Sequence, residues 1–236
     1  MNLPPVRSSL ALRRVALLEG LSAARLDALA LQCHWRHVGA GQPVLARQAD
    51  RGDVFFLAAG RVRVTTYGSN GRQVTFRDLQ AGDYFGELAA LDGLQRSVDI
   101  VTLEDSVLAG LERPHFLQLL DDEPRVARRV MQRLASLVRQ LSERVVELST
   151  LAVQNRLHGE LLRLAREAGV ADNQAVIDPA PHHAELASLI STNREQVTRE
   201  LGALQRAGLL DKQGRRLIVC DVARLQRLVD EVRSGG

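Results

Sequence analysis

The 236-residue chain is 45% hydrophobic and 25% charged, ordinary proportions for folded globular protein, and it is long enough for one large or two modest domains with their own cores. A formal net charge of +3 is too weak to argue for nucleic acid alone, and no stretch approaches the roughly 18 uninterrupted apolar residues that suggest a membrane span. Cys33 and Cys220 lie far apart in no ligand spacing, so a disulfide framework, a zinc site and an iron–sulfur cluster are all excluded as readings.

The first residues, MNLPPVRSSLALRRVALLEG, lack the continuous apolar core and small-residue cleavage site of a secretory signal, so a cytoplasmic protein with no membrane partner is expected. From about residue 8 to 31, Leu17, Leu18, Leu21, Leu26 and Leu29 recur at helical spacing and predict an amphipathic helix. The texture changes between 33 and 113. Short β-rich runs (PVLAR, DVFFLAA, RVRVTTY, QVTFRDL, VDIVTL, SVLAGL) are punctuated by Gly41, Gly60, Gly71, Gly82 and Gly86, which indicates an antiparallel barrel or roll. SNGR before QVTF signals a hairpin, because Asn-Gly accepts positive φ at both central positions.

Helices return from about 115. Pro124 suits the first turn of a long helix, where its missing N–H leaves no bond unmade. Met131, Leu134, Val138, Leu141, Val145 and Leu148 then follow an a/d heptad series, with Val or Met at a and Leu at d. That combination favours a parallel two-stranded coiled coil, so this helix is expected to build a homodimer. The region from 150 to 232 reads as helical with one hairpin, LLDKQGRRLIVCD, turning at Gly214. Within it, PHHAELASLISTNREQVTRELGALQRAGLL carries two short helical patterns joined by STN, with His182 and His183 read as a helix start. Leu186, Leu189 and Ile190 form one apolar face and Val197, Leu201 and Leu204 the other; Ser191, Thr192 or Asn193 can cap the second helix. This is a helix-turn-helix pattern, and the hairpin after it supplies a wing.

Two sets of residues carry chemistry. In FGELAALDGLQRS, Gly86 frees backbone N–H groups to approach an anion, Arg96 supplies a fixed cationic fork, Ser97 a hydroxyl donor, and Glu87 can accept from a sugar hydroxyl. An ordinary turn closed by a Glu87–Arg96 salt bridge fits the same spacing. On the second helix of the C-terminal pair, Arg194, Glu195 and Arg199 occupy the N-terminal half, where arginine can grip guanine O6 and N7 and glutamate can accept from cytosine N4. A solvated face with an Arg194–Thr198 or Glu195–Arg199 pair is the plainer account.

GDYFGELAALDGLQRSV resembles the phosphate-binding cassette of cyclic-nucleotide-binding domains, and NREQVTREL resembles the family pattern SRETVGRIL. With the glycine-punctuated strands between, the resemblance covers nearly the whole chain and points to the family of the cyclic AMP receptor protein and the fumarate and nitrate reduction regulator. It implies an α+β protein: a cyclic-nucleotide-binding β-roll over 1–118, a dimerisation helix over 119–149 and a winged helix-turn-helix over 150–236. It further implies that Gly86 and Leu88 offer backbone N–H groups to the ligand, that Glu87 binds the ribose 2′-hydroxyl, and that Arg96 and Ser97 bind the cyclic phosphate. Ser142 matches a serine that reaches the adenine held by the partner subunit. Leu141 stands where the family has an adenine-contacting threonine, and Leu137 where it has an arginine; cyclic AMP is the expected allosteric ligand, with cyclic GMP or another nucleotide as the alternative. Asn193, Arg194, Glu195 and Arg199, with Arg215 and Arg216 of the wing, are implied as contacts to double-stranded DNA at TGTGA-type half-sites, and RNA polymerase as a further partner. A member that binds DNA without nucleotide is the rival. An enzyme is not expected, since no nucleophile–base pair, metal set or Walker loop occurs.

Overall fold

A computed structural model describes residues 9–50, 52–68 and 73–234. The chain divides into two compact units, residues 1–137 and 138–236.

In the first unit, α1 (Ser9–Leu12), a 3-10 turn (Ala16–Leu18) and α2 (Ala23–Gln32) replace the single amphipathic helix expected over 8–31. Gly20 at φ +80° breaks the chain direction, and the Ser22 hydroxyl starts α2 afresh by accepting from the Arg25 N–H at 3.2 Å. The strands follow: β1 (His34–Val38), β2 (Pro43–Leu45), β3 (Val54–Ala59), β4 (Arg61–Tyr67), β5 (Gln73–Gln80) and β6 (Tyr84–Phe85). After the short helix α3 (Glu87–Asp92) come β7 (Asp99–Thr102), β8 (Ser106–Leu111), α4 (Arg113–Asp122) and the long α5 (Pro124–Thr150), which opens at Pro124 and runs past the unit border. Two antiparallel sheets form, in the orders β1-β8-β3-β6 and β2-β7-β4-β5. The SNGR turn lies outside the described residues; β4 and β5 pair on either side of it, Tyr67 opposite Gln73.

Strand β3 shows why its sequence is apolar throughout. Successive side chains point to opposite faces. Phe55 and Leu57 enter the roll interior with Val62, Leu79, Phe85, Ile100 and Leu108, the Phe55 and Phe85 rings stacking at 5.4 Å. Val54 and Phe56 face the other way, into a core built with Leu17, Leu29, Phe116, Val126 and Val130 from the surrounding helices.

The second unit adds α6 (Val153–Ala168), β9 (Val170–Ala171), β10 (Gln174–Ile177), α7 (His183–Leu189), α8 (Arg194–Arg206), β11 (Leu210–Gln213), β12 (Arg216–Val219) and α9 (Val222–Ser234). Its sheet has the order β11-β12-β10-β9, so this region holds two hairpins where the sequence suggested one. The unexpected pair turns on Asp172 and Asn173, both at positive φ, and its strands of two and four residues are too short to show alternation. Leu157, Leu161, Leu186, Val197, Leu201, Leu217 and Leu225 meet in one core.

His158 of α6 is 2% exposed, with neither ring nitrogen partnered. Burial pushes its pKa down from the ordinary 6.5, opposed by the Glu200 carboxylate. The folded state therefore resists a proton that the unfolded chain accepts, and stability present above pH 6.5 is lost as pH falls through the depressed value. Urea unfolding between about pH 5 and 7.5 is expected to show this loss, and His158→Leu to flatten it; an unchanged slope in the variant would assign the loss to other groups.

Candidate functional site

The candidate ligand loop starts where β6 ends. Gly86 caps α3 at φ +91°, a conformation that disfavours side chains, and a Cβ there would stand 2.7 Å from both the Asp53 carbonyl oxygen and Arg96 Nη1. Glycine is required by backbone and space together. Without a capping side chain, the first N–H groups of α3 remain available to an acceptor from outside the helix. Glu87, its first residue, is 4% exposed, whereas Leu88 points outward.

Arg96 returns to the same place from the loop after α3. That loop is fixed by main-chain bonds from Gln48 N–H to the Arg96 carbonyl (2.9 Å) and from Arg96 N–H to the Ala49 carbonyl (3.2 Å). The guanidinium, 4% exposed, donates from Nη1 to the Gly86 carbonyl at 2.8 Å and from Nη2 to the Asp53 carbonyl at 2.6 Å. It bonds to main chain rather than to Glu87, so the simple salt-bridged turn is not what forms. Nε is buried without a partner. Burial lowers the Arg96 pKa, and the Asp53 and Glu87 carboxylates push it back up. A buried cation with unused donors beside helix N–H groups is an arrangement that takes an anion. Ser97 is exposed next to it.

Along α5, Val126 and Val130 are buried and Leu134 is partly buried against the core beneath the roll, one stripe at i, i+4 and i+8. Met131, Val138, Leu141, Val145 and Leu148 form a second stripe, each at least 40% exposed in the single chain. Leu134 therefore also serves the first unit's core. Leu141 and Ser142 belong to the second unit, where the Ser142 hydroxyl donates back to the Val138 carbonyl at 2.9 Å.

In the second unit α7 and α8 form the helix-turn-helix. Of the three possible caps Asn193 is used, its side chain accepting from the Gln196 N–H at 2.8 Å; Thr192 is buried and Ser191 takes the positive φ of the turn. The carbonyls at the end of α7 are met by guanidinium groups: Arg144 donates to the Leu189 carbonyl and Arg156 to that of Ile190 (3.0 Å), while Arg156 also donates to the Leu151 carbonyl just after α5 (2.7 Å). Val197, Leu201 and Leu204 bury one face of α8 and leave Arg194, Glu195 and Arg199 exposed on the other. Neither expected side-chain pair forms: Thr198 donates to the Arg194 carbonyl at 2.9 Å, and Arg199 lies 3.7 Å from Glu200. Gly214 turns the wing at φ +59°, beside Arg215 and Arg216.

Residues 35–123 match the model of the cyclic nucleotide-binding domain, and residues 155–228 that of the Crp-like helix-turn-helix domain. The chain is 35% identical over 199 residues to the cyclic AMP receptor protein of Thermus thermophilus, covering 82% of this chain and 87% of that one. The chain belongs to the cyclic AMP receptor protein family. It is similar also to a cAMP-activated global transcriptional regulator of Mycobacterium tuberculosis, 23% identical over 217 residues covering 92% of this chain and 97% of that one. Its fold matches that of the c-di-GMP-responsive global regulator of Xanthomonas campestris, with a TM-score of 0.75, 21% identity, and 84% and 99% of the two chains covered. As a member of this family it is a DNA-binding transcription regulator with a cyclic nucleotide-binding domain, and not an enzyme.

Against that family pattern, the cassette has neighbours that sequence reasoning passed over. Arg133 of α5 lies 5.6 Å over the Tyr84 ring and 3.5 Å from Asp83. Burial and the Glu87 charge push the Tyr84 phenol up to about 12. Arg77 of β5 is depressed first by burial and then by Arg133, while Glu87 and Asp83 raise it. No motif joins residues on β5, β6 and α5, so nothing in the sequence marked them as a group.

Proposed function

We propose that this chain is a homodimeric regulator that senses cyclic AMP through its cassette and binds an inverted repeat of TGTGA-type half-sites. In this reading residues 1–118 sense, 119–149 dimerise and 150–236 read DNA, and the dimer contacts RNA polymerase at its promoters. The observation that carries it is the buried Arg96 guanidinium, set beside Glu87 and the uncapped start of α3 with donors to spare. Gly86, Leu88 and Ser97 complete the ribose-phosphate set, and Leu141 and Ser142 the base contacts from the long helix. The name of the Thermus relative supports cyclic AMP. A second reading, cyclic GMP, stays open because Leu137 and Leu141 stand where the family has a base-side arginine and threonine.

Calorimetry with both nucleotides is expected to show binding of cyclic AMP to wild type, and Arg96→Ala to weaken it by about 10- to 150-fold through loss of a charge-assisted contact. Failure of both nucleotides to bind at about millimolar concentration would make the cassette vestigial.

The exposed stripe of Met131, Val138, Leu141, Val145 and Leu148 supports dimerisation through α5, with Leu134 at its roll end. Leu141→Asp puts a charge at a central apolar position of both chains. Light scattering at about micromolar concentration is expected to report monomer; a persistent dimer places the interface elsewhere.

Two recognition helices related by a two-fold axis enter successive major grooves about 34 Å apart, so the half-site centres stand about 10–11 base pairs from each other. Arg194, Glu195 and Arg199 read base edges, Asn193 sits at the helix start, and Arg215 and Arg216 contact phosphates. In gel shifts, Arg199→Ala is expected to cost about 1–3 kcal/mol per half-site and to relax preference at one guanine. Selection of an unrelated motif from a randomised pool would overturn the base-reading assignment, and equal binding with and without nucleotide would overturn the ligand dependence.

A further inference from the structure

The wing arginines are already occupied. Arg215 Nε donates to Asp178 Oδ1 at 3.0 Å and Arg216 Nε to Asp178 Oδ2 at 3.1 Å, so one carboxylate uses both oxygens on two guanidinium groups. The placement does not depend on the side chains alone. Ala180 N–H donates to the Arg215 carbonyl at 2.7 Å and ties the segment after β10 to the turn of the wing. Arg215 and Arg216 remain 79% and 60% exposed, and Asp178 31%, so the bridge sits at the surface a polyanion would approach. The other charges of the hairpin, Asp211 and Lys212, lie on β11; Asp211 accepts from Gln213 at 2.9 Å and takes no part in the bridge.

We propose that Asp178 is a specificity-determining residue that holds the wing arginines as a stand-in for a DNA phosphate. The proposal rests on the reading of the wing as a phosphate contact. A carboxylate and a phosphate offer arginine the same forked acceptor geometry, so the two compete for the same donors. While Asp178 is in place the bridge presents one net positive charge instead of two. Binding to unrelated DNA depends almost wholly on such charges and their counterion release, whereas an operator adds base contacts from α8. The carboxylate therefore suppresses non-specific binding more than specific binding. Exposed ion pairs are weak, so the hand-over from Asp178 to phosphate stays easy once α8 is seated.

The test is fluorescence anisotropy of the full-length protein on two labelled duplexes, one of unrelated sequence and one carrying a selected operator, across a sodium chloride series. Asp178→Asn keeps the shape and removes the charge. It is expected to tighten binding to the unrelated duplex about three- to ten-fold and to steepen the log–log salt slope by up to about two, one for each wing of the dimer. Operator affinity gains less, so the ratio between the duplexes falls. Asp178→Ala is expected to move both quantities the same way, and urea unfolding checks that each variant folds. Unchanged affinity and slope on the unrelated duplex, or weakened binding to both duplexes, would overturn the proposal, the latter by showing that Asp178 only orients the arginines. The Arg215→Ala/Arg216→Ala double variant separates the two levels. If it weakens binding while Asp178→Asn changes nothing, only the role of Asp178 fails; if it changes neither duplex, the wing reading fails and the proposal with it.

Discussion

The first unit depends on keeping one guanidinium out of water. Arg96 is almost wholly buried, and a charge in that position is tolerable only when its donors find oxygen. The Gly86 and Asp53 carbonyls provide it from two separate segments, one ending β6 and one leading into β3. For both to reach, Gly86 must hold a left-handed backbone with no Cβ, and the loop from 93 to 97 must be pinned through Gln48 and Ala49. The geometry that satisfies the buried cation also places it beside Glu87 and the open start of α3. The structural demand on Arg96 and its proposed ligand role are thus left to different hydrogens of one fork.

Helix α5 shows a different economy of design. Its first turns give Val126 and Val130 to the core beneath the roll, while Met131, Val138, Leu141, Val145 and Leu148 face outward in the single chain. A helix with two apolar stripes has more hydrophobic surface than one chain can cover. The second unit handles its polar groups in the same manner as the first handles Arg96. The carbonyls closing α7, which a helix end leaves without intrahelical partners, are taken by Arg144 and Arg156, so the turn into the recognition helix is held by side chains from α5 and α6. Guanidinium-to-carbonyl bonds recur because arginine makes up nearly all of the basic residues, with Lys212 the sole lysine.

Much of this was legible in the residues, wherever the information was local. Short β-rich runs marked β2, β3, β4, β5, β7 and β8, Pro124 marked the start of α5, and STN between two apolar faces marked the helix-turn-helix, with Asn193 the cap used among its three candidates. The cassette was readable because Gly86, Glu87, Arg96 and Ser97 lie within one short stretch, with a fixed backbone need at its head. Where a local signal was faint, the expectation failed. The segment from 8 to 31 has helical spacing on both sides of Gly20 and yet folds as separate pieces, and β9–β10 is too short to show any period.

Contacts between distant segments followed another rule. That Arg96 would choose the carbonyls of Gly86 and Asp53 over the Glu87 carboxylate, that Arg133 would meet Tyr84 and Asp83, and that Asp178 would bridge Arg215 and Arg216 all depend on which strands and turns end up adjacent. The sequence by itself determined most of the elements, the family and the candidate ligand and DNA residues, because periodicity, caps, turn glycines and contiguous motifs act over a few residues. Only the tertiary structure decided which donors meet which acceptors, because a side chain's partner is set by burial and by the path of the backbone through space.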